Sequence, residues 1–332
     1  MTEDVTILIG TFGGLENLRP CLKSIAEAAG GEVSVRVILG FNFEGESENP
    51  GTIRREFPEV EQWRARAKLG VCRTYNQLMS NIGGRYALLL DDDTILRPDA
   101  LKTMVRFMDA HREVGIAGCR TLNLDGSFQK STGLMFSLGT EMGIALRPGA
   151  LWRDGVDERV RSWQTVDWLN GAFLLARTET IRQVGGFDEF FHILVHEPDW
   201  CLRIRRAGWQ VAYVPDAQVI HIGNTLSVVR PIKSYETLVR YHVNRYHFCR
   251  KHYGNSAVQA LRPIMTFGAF LRLCKHGAAW LLSPGRRPEA GPKLRAYWKV
   301  MLLGVAARPD TLPQTLRRQN EVAGVLQPCR SD

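Results

Sequence analysis

The sequence contains no run approaching the ~20 uncharged apolar residues that cross a bilayer. Its opening residues, Met1-Thr2-Glu3-Asp4, lack the basic flank and small-residue cleavage pattern of a secretory leader. Its seven cysteines (Cys21, Cys72, Cys119, Cys201, Cys249, Cys274 and Cys329) lie far apart with no C-x-x-C pair, which argues against both a disulfide framework and a zinc site. Internal repeats and low-complexity tracts are missing too. These absences lead us to expect a chain of the reducing cytoplasm, either in solution or held peripherally at the inner face of the cell membrane.

What is present suffices for a sizeable core, since 45% of the 332 residues are hydrophobic. Charge is unevenly spread. Residues 228–332 carry 18 Lys/Arg against 5 Asp/Glu, whereas residues 1–227 carry 25 against 29. Clustered cations attract anionic lipid, nucleic acid or phosphorylated substrates alike.

Residues 5–9 form a short apolar run rich in β-branched side chains, which predicts a buried parallel strand. Helical spacing follows at Leu15, Leu18, Leu22, Ile25 and Ala29 until Gly30-Gly31, and residues 33–39 read as a second strand. A helix near 71–82, a strand at 86–90 and a helix at 98–111 extend the alternation, so the expected fold class is α/β with a doubly wound sheet. Ligands of such sheets bind beyond the carboxyl ends of the strands, here after Ile9, Leu39 and Leu90.

Residues 42–58 predict a long surface loop, and Asp125-Gly126 a hairpin turn. Further expectations are a strand at 166–176, a helix at 178–184, a helix from Asp199 to Ala207, and strands near 209–213 and 217–222. Beyond 228 the pattern is basic and mainly helical, which suggests a catalytic domain over 1–227 and a helical region over 228–332.

Asp91-Asp92-Asp93 follows an apolar strand directly, and three crowded carboxylates call for a cation. Asp91 and Asp93 fall on one side of an extended chain and offer the oxygen ligands that a hard divalent metal takes. The plainer alternative is a solvated turn with an aspartate capping the next helix. Glu197, expected just ahead of a helix, can project into a cleft and take a proton from an attacking hydroxyl, while Asp199 can equally be a helix-dipole partner. His221 ends a strand, where a hydrogen-bonded structural histidine competes with a ligand. Gly70, Arg73 and Asn76 share one helix face, from which Arg73 can reach a phosphate.

Taken in order, these segments resemble the family-2 glycosyltransferases of the GT-A fold, particularly bacterial rhamnosyltransferases and galactofuranosyltransferases, over residues 5–253. Ile9-Gly10-Thr11-Phe12 resembles the family's first-strand motif near the nucleotide, and Leu90-Asp91-Asp92-Asp93 its D-x-D segment. The resemblance implies metal contact from Asp91 and Asp93, with Asp92 beside the nucleotide sugar. The run from Gly185-Gly186-Phe187-Asp188-Glu189 through Glu197-Pro198-Asp199 to Arg203 is similar to the family's acceptor segment. It implies Glu197 as the acceptor-activating base, with Asp199 and Arg203 shaping the pocket. Val214-Pro215 through His221-Ile222-Gly223 resembles the ending in which a histidine completes the metal site, and Asn170-Gly171-Ala172-Phe173 the segment beneath the acceptor.

Three positions depart from the pattern. Gly13 replaces an asparagine, His196-Glu197 stands where an acidic pair is usual, and Gly40-Phe41-Asn42-Phe43 lacks the acid that commonly recognises the base. Asn42 can substitute through its amide.

The implied chemistry is single displacement with inversion, dependent on Mn²⁺ or Mg²⁺. It transfers a sugar, with rhamnose our first expectation, from a nucleotide-diphosphate donor to a glycan or polyprenyl-linked saccharide in cell-surface polysaccharide synthesis. A nucleotidyltransferase fits less well, because Gly13-Gly14-Leu15-Glu16 has no cation before Arg19 to hold a triphosphate. A non-catalytic membrane or nucleic-acid module leaves the carboxylates and His221 unexplained, and nucleic acid is not expected as a partner. Between Ala257 and Leu282 an apolar stripe (Ile264, Phe267, Leu271, Cys274, Ala278, Leu282) opposes Arg262, Arg272, Lys275 and His276. It predicts an amphipathic helix that either covers the catalytic domain or meets an anionic membrane.

Overall fold

In a computed structural model of the chain, residues 3–11, 15–42, 50–65, 69–146, 155–223, 235–306 and 326–329 are described. Two compact units emerge. The first joins Met1–Gly133, Asp154–Thr225 and Glu321–Asp332; the second joins Leu134–Arg153 and Leu226–Asn320.

The first unit opens with β1 (Val5–Thr11), α1 (Leu15–Ala29), β2 (Val35–Phe41), α2 (Pro50–Glu56), β3 (Glu61–Ala65), α3 (Val71–Met79) and β4 (Tyr86–Asp91). Strands β1, β2, β3 and β4 run parallel, because each crossover carries the chain back over the sheet. Next come β5 (Thr94–Leu96), α4 (Ala100–Ala110), β6 (Val114–Leu122), β7 (Phe128–Gln129) and β8 (Thr132–Gly133). After α5 (Leu138–Leu146), which belongs to the second unit, the chain returns as β9 (Gln164–Thr165), β10 (Trp168–Leu169), β11 (Phe173–Arg177), α6 (Thr178–Val184), α7 (His196–Arg206) and β12 (Gln210–His221).

The second unit continues with α8 (Tyr235–Leu282), broken at Gly254 where φ is 84°, and α9 (Arg287–Ala306); β13 (Leu326–Pro328) then rejoins the sheet. The main sheet reads β13-β3-β2-β1-β4-β11-β6-β12-β5, with β11 antiparallel to both of its neighbours. Its core is filled by Ile7, Ile9, Leu39, Leu88 and Leu90 from the central strands and by Leu18, Ile25 and Met104 from α1 and α4.

Several sequence expectations shift. The segment 42–58 contains the helix α2 and is not a continuous loop. The strand expected over 166–176 is split into β10 and β11 by a turn at Asn170, whose side chain accepts from the Ala172 N–H at 2.7 Å. The strands near 209–213 and 217–222 are one strand, β12, bulged at Pro215, Asp216 and Ala217, where Pro215 cannot donate to the ladder.

The largest difference lies in α8. Leu261, Met265, Ala269 and Arg272 are buried, so Arg272 of the expected polar face lies inside, while Phe267, Cys274 and Leu282 of the apolar stripe are exposed. Arg272 is satisfied inside because its guanidinium donates to the carbonyls of Gly268 and Ile144, both at 2.8 Å.

Candidate active site

Strand β4 brings Asp91 to the carboxyl edge of the sheet, and the Tyr75 hydroxyl pins the preceding turn of chain by donating to the Leu90 carbonyl at 2.9 Å. The chain then turns through Asp92 and Asp93 into β5, which pairs with the end of β12 so that Thr94 lies opposite His221. The bulge in β12 and the Ile222 N–H bonded to the Asp93 carbonyl (2.9 Å) set His221 beside the carboxylates. His221 Nε2 lies 3.2 Å from Asp93 Oδ1 and 3.8 Å from Asp91 Oδ2. One ligand atom from each of the three residues falls within 4.8 Å of the others.

A second layer fixes the imidazole. The Asp125 carboxylate can only accept, so the Ser127 hydroxyl donates to it (2.6 Å) and in turn accepts from Asn123 Nδ2 (2.8 Å). Asn123 Oδ1 accepts from Gln129 Nε2 (3.0 Å), which leaves Gln129 Oε1 to accept from His221 Nδ1 (2.7 Å). The relay therefore places the proton of a neutral His221 on Nδ1 and turns the Nε2 lone pair toward Asp93. A lone pair facing a carboxylate is repulsive unless a proton or cation lies between them, and two carboxylates plus a neutral imidazole form a donor set that divalent metals accept. The residues thus fit a metal.

Electrostatics agree. Burial at the strand end is the main cause that pushes Asp91 up to about 7; the charges of Asp93, Asp92 and Glu197 add to it, while His221 opposes it. Burial also works against a charge on His221, but the Asp93 hydrogen bond and the field of Asp91, Asp93 and Asp92 outweigh it and raise its pKa.

Glu197 lies inside the first turn of α7, a correction to its expected place ahead of the helix. Pro198 is tolerated there because a first-turn N–H has no intrahelical partner. The approach is strained: His192, Leu194 and Val195 all have positive φ, which is unusual for a β-branched residue such as Val195. Glu197 Oε2 lies 3.2 Å from His196 Nδ1, but the two do not meet in hydrogen-bonding geometry. A single turn joins Glu197 to the Asp91 cluster: the Asp91 N–H donates to the Ala172 carbonyl at 3.3 Å, while a Cβ on Gly171 would lie 3.3 Å from Glu197 Oε1.

Asp199 is fully buried and accepts from Arg203 Nε at 3.0 Å. Arg203 also donates to the carbonyls of Val184 (2.7 Å) and Gly186 (2.5 Å), and Trp200 Nε1 to that of Gly185 (2.9 Å), so this pair braces the Gly185–Gly186 turn. Asn76 clasps Phe187 through both its N–H and its C=O, and Arg73 Nε donates to Glu189 at 2.9 Å. Gly70, with φ 81°, admits the His192 ring, whose Cε1 would stand 2.2 Å from an added Cβ. The face of α3 carrying Gly70, Arg73 and Asn76 thus receives the 185–192 segment.

At the carboxyl end of β1, Thr11 closes the strand and its carbonyl accepts from the Asn42 N–H at 3.1 Å. Asn42 Oδ1 accepts from the Leu69 N–H (2.6 Å), while its buried Nδ2 has no hydrogen-bond partner among the described residues. Phe12 lies outside the described residues. Sequence reasoning missed the relay of Asn123, Ser127 and Gln129; the hairpin signal at Asp125-Gly126 located its turn without indicating that β7 would meet His221.

The family model described as "Glycosyltransferase like family 2" matches residues 3–242. The chain belongs to that family. This family-2 glycosyltransferase is 26% identical over 239 residues to an N-acetylglucosaminyl-diphospho-decaprenol L-rhamnosyltransferase of Mycobacterium tuberculosis, a match covering 67% of this chain and 76% of the relative. It is 27% identical over 136 residues to rhamnosyltransferase WbbL of Escherichia coli, covering 41% and 52% respectively.

Among solved structures it resembles GalNAc-T7 with UDP, GalNAc and Mn²⁺, with TM-score 0.56 and 13% identity over 76% of this chain; it spans about half, 51%, of that chain. It also resembles the mannosyltransferase PcManGT from Pyrobaculum calidifontis in complex with GDP-Man and Mn²⁺, with TM-score 0.54 and 13% identity over 91% of this chain and 87% of that one. These likenesses establish the GT-A fold for the glycosyltransferase.

Proposed function

We propose that this enzyme performs metal-dependent, inverting transfer of a sugar, rhamnose in our reading, from a nucleotide-diphosphate donor to a polyprenyl-linked saccharide at a membrane surface. The observation that carries the reading is the single turn at Asn170, Gly171 and Ala172, which ties Asp91 on one side to Glu197 on the other. A leaving diphosphate held through a cation that Asp91, Asp93 and His221 would bind would then stand close to a base able to deprotonate the incoming hydroxyl.

In this mechanism Glu197 accepts the acceptor's proton as the oxygen attacks the anomeric carbon, and the nucleoside diphosphate departs. A divalent cation bound by Asp91, Asp93 and His221 would supply the positive charge that stabilises the departing diphosphate. Asp92, beside them, faces the nucleotide sugar in this reading. The braces at Asp199 and Arg203 hold the acceptor-side turn rigid while the strained residues before α7 fix Glu197. With Asn42 Oδ1 engaged by Leu69, only the Nδ2 donor is left, so Asn42 would select a base that presents a carbonyl.

Rhamnose is supported by the names of both relatives, the lipid-linked acceptor by that of the mycobacterial one, and Mn²⁺ by those of the two solved structures. Membrane contact is supported by the exposed Trp280, Leu281, Leu282, Trp298 and Leu302 of α8 and α9 together with the basic balance after residue 228. No helix among the described residues is long and apolar enough to cross a membrane.

The test is release of nucleoside diphosphate from dTDP-rhamnose, UDP-galactofuranose, UDP-glucose, UDP-N-acetylglucosamine and GDP-mannose, with Mn²⁺ or Mg²⁺ and then with EDTA. Turnover of dTDP-rhamnose that EDTA abolishes is the expected result. Preference for another donor would replace rhamnose, and turnover indifferent to EDTA would overturn the metal dependence.

A further inference from the structure

The break in α8 at Gly254 produces a concavity that a straight helix could not have. Phe248, Cys249 and Tyr253 line it before the break, Ala257 and Leu261 after it, and Phe136 and Leu138 close it from the α5 side. The hollow measures about 350 Å³. Its depth is apolar: Phe248, Cys249 and Leu261 are buried, and Glu141 and Arg245 in its wall contact each other, so that pair offers no uncompensated charge to a ligand. Its mouth is open, because Leu138 is 41% and Tyr253 40% exposed. The Tyr253 hydroxyl holds that rim in place by donating to the Phe136 carbonyl at 2.9 Å.

We propose that this hollow binds the hydrocarbon chain of a phosphate-headed lipid. An apolar recess of this size with few polar groups matches a chain and not a sugar or nucleotide, which would leave hydroxyls unpaired. Arg250 and Lys251 directly follow the lining residue Cys249 in α8, so the helix segment that lines the hollow also carries the cations that a phosphate head group calls for. The same unit carries nearly all the large exposed apolar side chains among the described residues, the surface from which a lipid tail would enter. That the natural occupant is the acceptor's own isoprenoid rests on the lipid-linked reading above; an acyl chain of the bilayer is the other source of the same chemistry.

The full chain would be irradiated with a diazirine-bearing farnesyl phosphate and the adducts mapped by peptide mass spectrometry. Adducts are expected in the segments 136–141 and 248–261. Ala257→Trp, which fills the hollow, and Leu138→Asp, which alters only an exposed rim residue, should each lower them at least about tenfold, with donor hydrolysis and the thermal transition unchanged. Labelling that both variants leave intact, or that falls instead on residues 280–282 and α9, overturns the proposal. Equal competition by inorganic phosphate does the same, because the chain would then contribute nothing.

Stronger competition by unlabelled farnesyl phosphate than by phosphatidylglycerol vesicles assigns the site to the acceptor, and the reverse order to the bilayer. Nucleoside diphosphate release in the same samples separates the two readings. Transfer without pocket labelling removes the pocket alone, whereas labelling without transfer removes the enzymatic reading alone.

Discussion

Among the described residues the sheet unit leaves only Leu124 and Ile193 as exposed large apolar side chains, whereas the helical unit leaves Phe267, Phe270, Trp280, Leu281, Leu282, Trp298, Leu302 and Val305 exposed, with others. Their ionisable groups differ as well. The sheet unit gathers carboxylates at one strand end, where Asp91 is raised to about 7 and waits for a counter-charge. The helical unit buries cations instead: Arg272 is bound by backbone carbonyls and Arg245 contacts Glu141. Crowded carboxylates in the first unit and exposed apolar surface in the second support the two binding roles proposed above, a cation for one and a lipid surface for the other.

The comparison breaks most sharply if the carboxylates can be removed without consequence. Glu197→Gln and Asp93→Ala are each expected to lower turnover by about 10²–10⁴-fold, the usual worth of a general base or a charge-stabilising group, with the circular dichroism spectrum unchanged. An Asp93→Ala enzyme that keeps metal-dependent turnover would take Asp93 out of the site.

Gln129→Leu sharpens the same half of the contrast. It removes the acceptor that holds His221 in the Nδ1–H form, and the expected loss is about 10–100-fold in Mn²⁺ affinity by titration calorimetry. Unchanged affinity would mean that the relay only packs the hairpin. The pH dependence has a definite sign. The pKa of Asp91 is raised from 3.8 to about 7 and that of His221 from 6.5, so both bind protons more tightly in the folded state. Their contribution to stability is complete below the unfolded values and is lost as pH rises through the folded ones. Metal-free protein should therefore lose thermal stability as pH rises from about 4 to about 7 through the Asp91 shift, with His221 adding a further loss above 6.5, and added Mn²⁺ should restore most of it at the upper end.

On the helical side, Trp298→Ser together with Leu302→Ser is expected to weaken binding to phosphatidylglycerol vesicles by about tenfold or more, given the apolar area removed. Thermal stability should fall less than vesicle binding, because Trp298 and Leu302 are already 55% and 43% exposed. Binding that ignores both the variant and the lipid charge would make this surface something other than a membrane contact.

The sequence announced the sheet unit well because its signals are local. The apolar runs of β1 and β4, the spacing of α1 and the carboxylates after Leu90 follow from period and position alone. His221 was legible as a strand end, yet its approach to Asp93 depends on a bulge at Pro215 and on pairing with β5, which are nonlocal. The faces of α8 were harder to read for the opposite reason. Periodicity showed an apolar face at Phe267 and Leu282, but which face is covered is decided by what packs there, and Arg272 was taken inward by carbonyls that no pattern reveals. Glu197, expected just ahead of α7, instead lies in its first turn, because the helix starts at His196, directly after the strained segment 192–195.

Arg73 gives the smallest expected effect and the finest discrimination. Its side chain is partly exposed at 22% and paired to Glu189, itself 42% exposed, so water screens the pair. Arg73→Ala should therefore cost stability only about 0–1 kcal/mol by chemical denaturation. If the guanidinium merely braces the 185–192 segment, Glu189→Ala should reproduce the kinetic effect of Arg73→Ala and the double variant should add nothing. If it turns to the donor phosphates when substrate binds, Arg73→Ala alone should raise the donor KM while Glu189→Ala leaves it unchanged or lowers it by freeing the arginine. The second pattern would extend the proposed donor site beyond the residues around Asp91; the first would confine it to them.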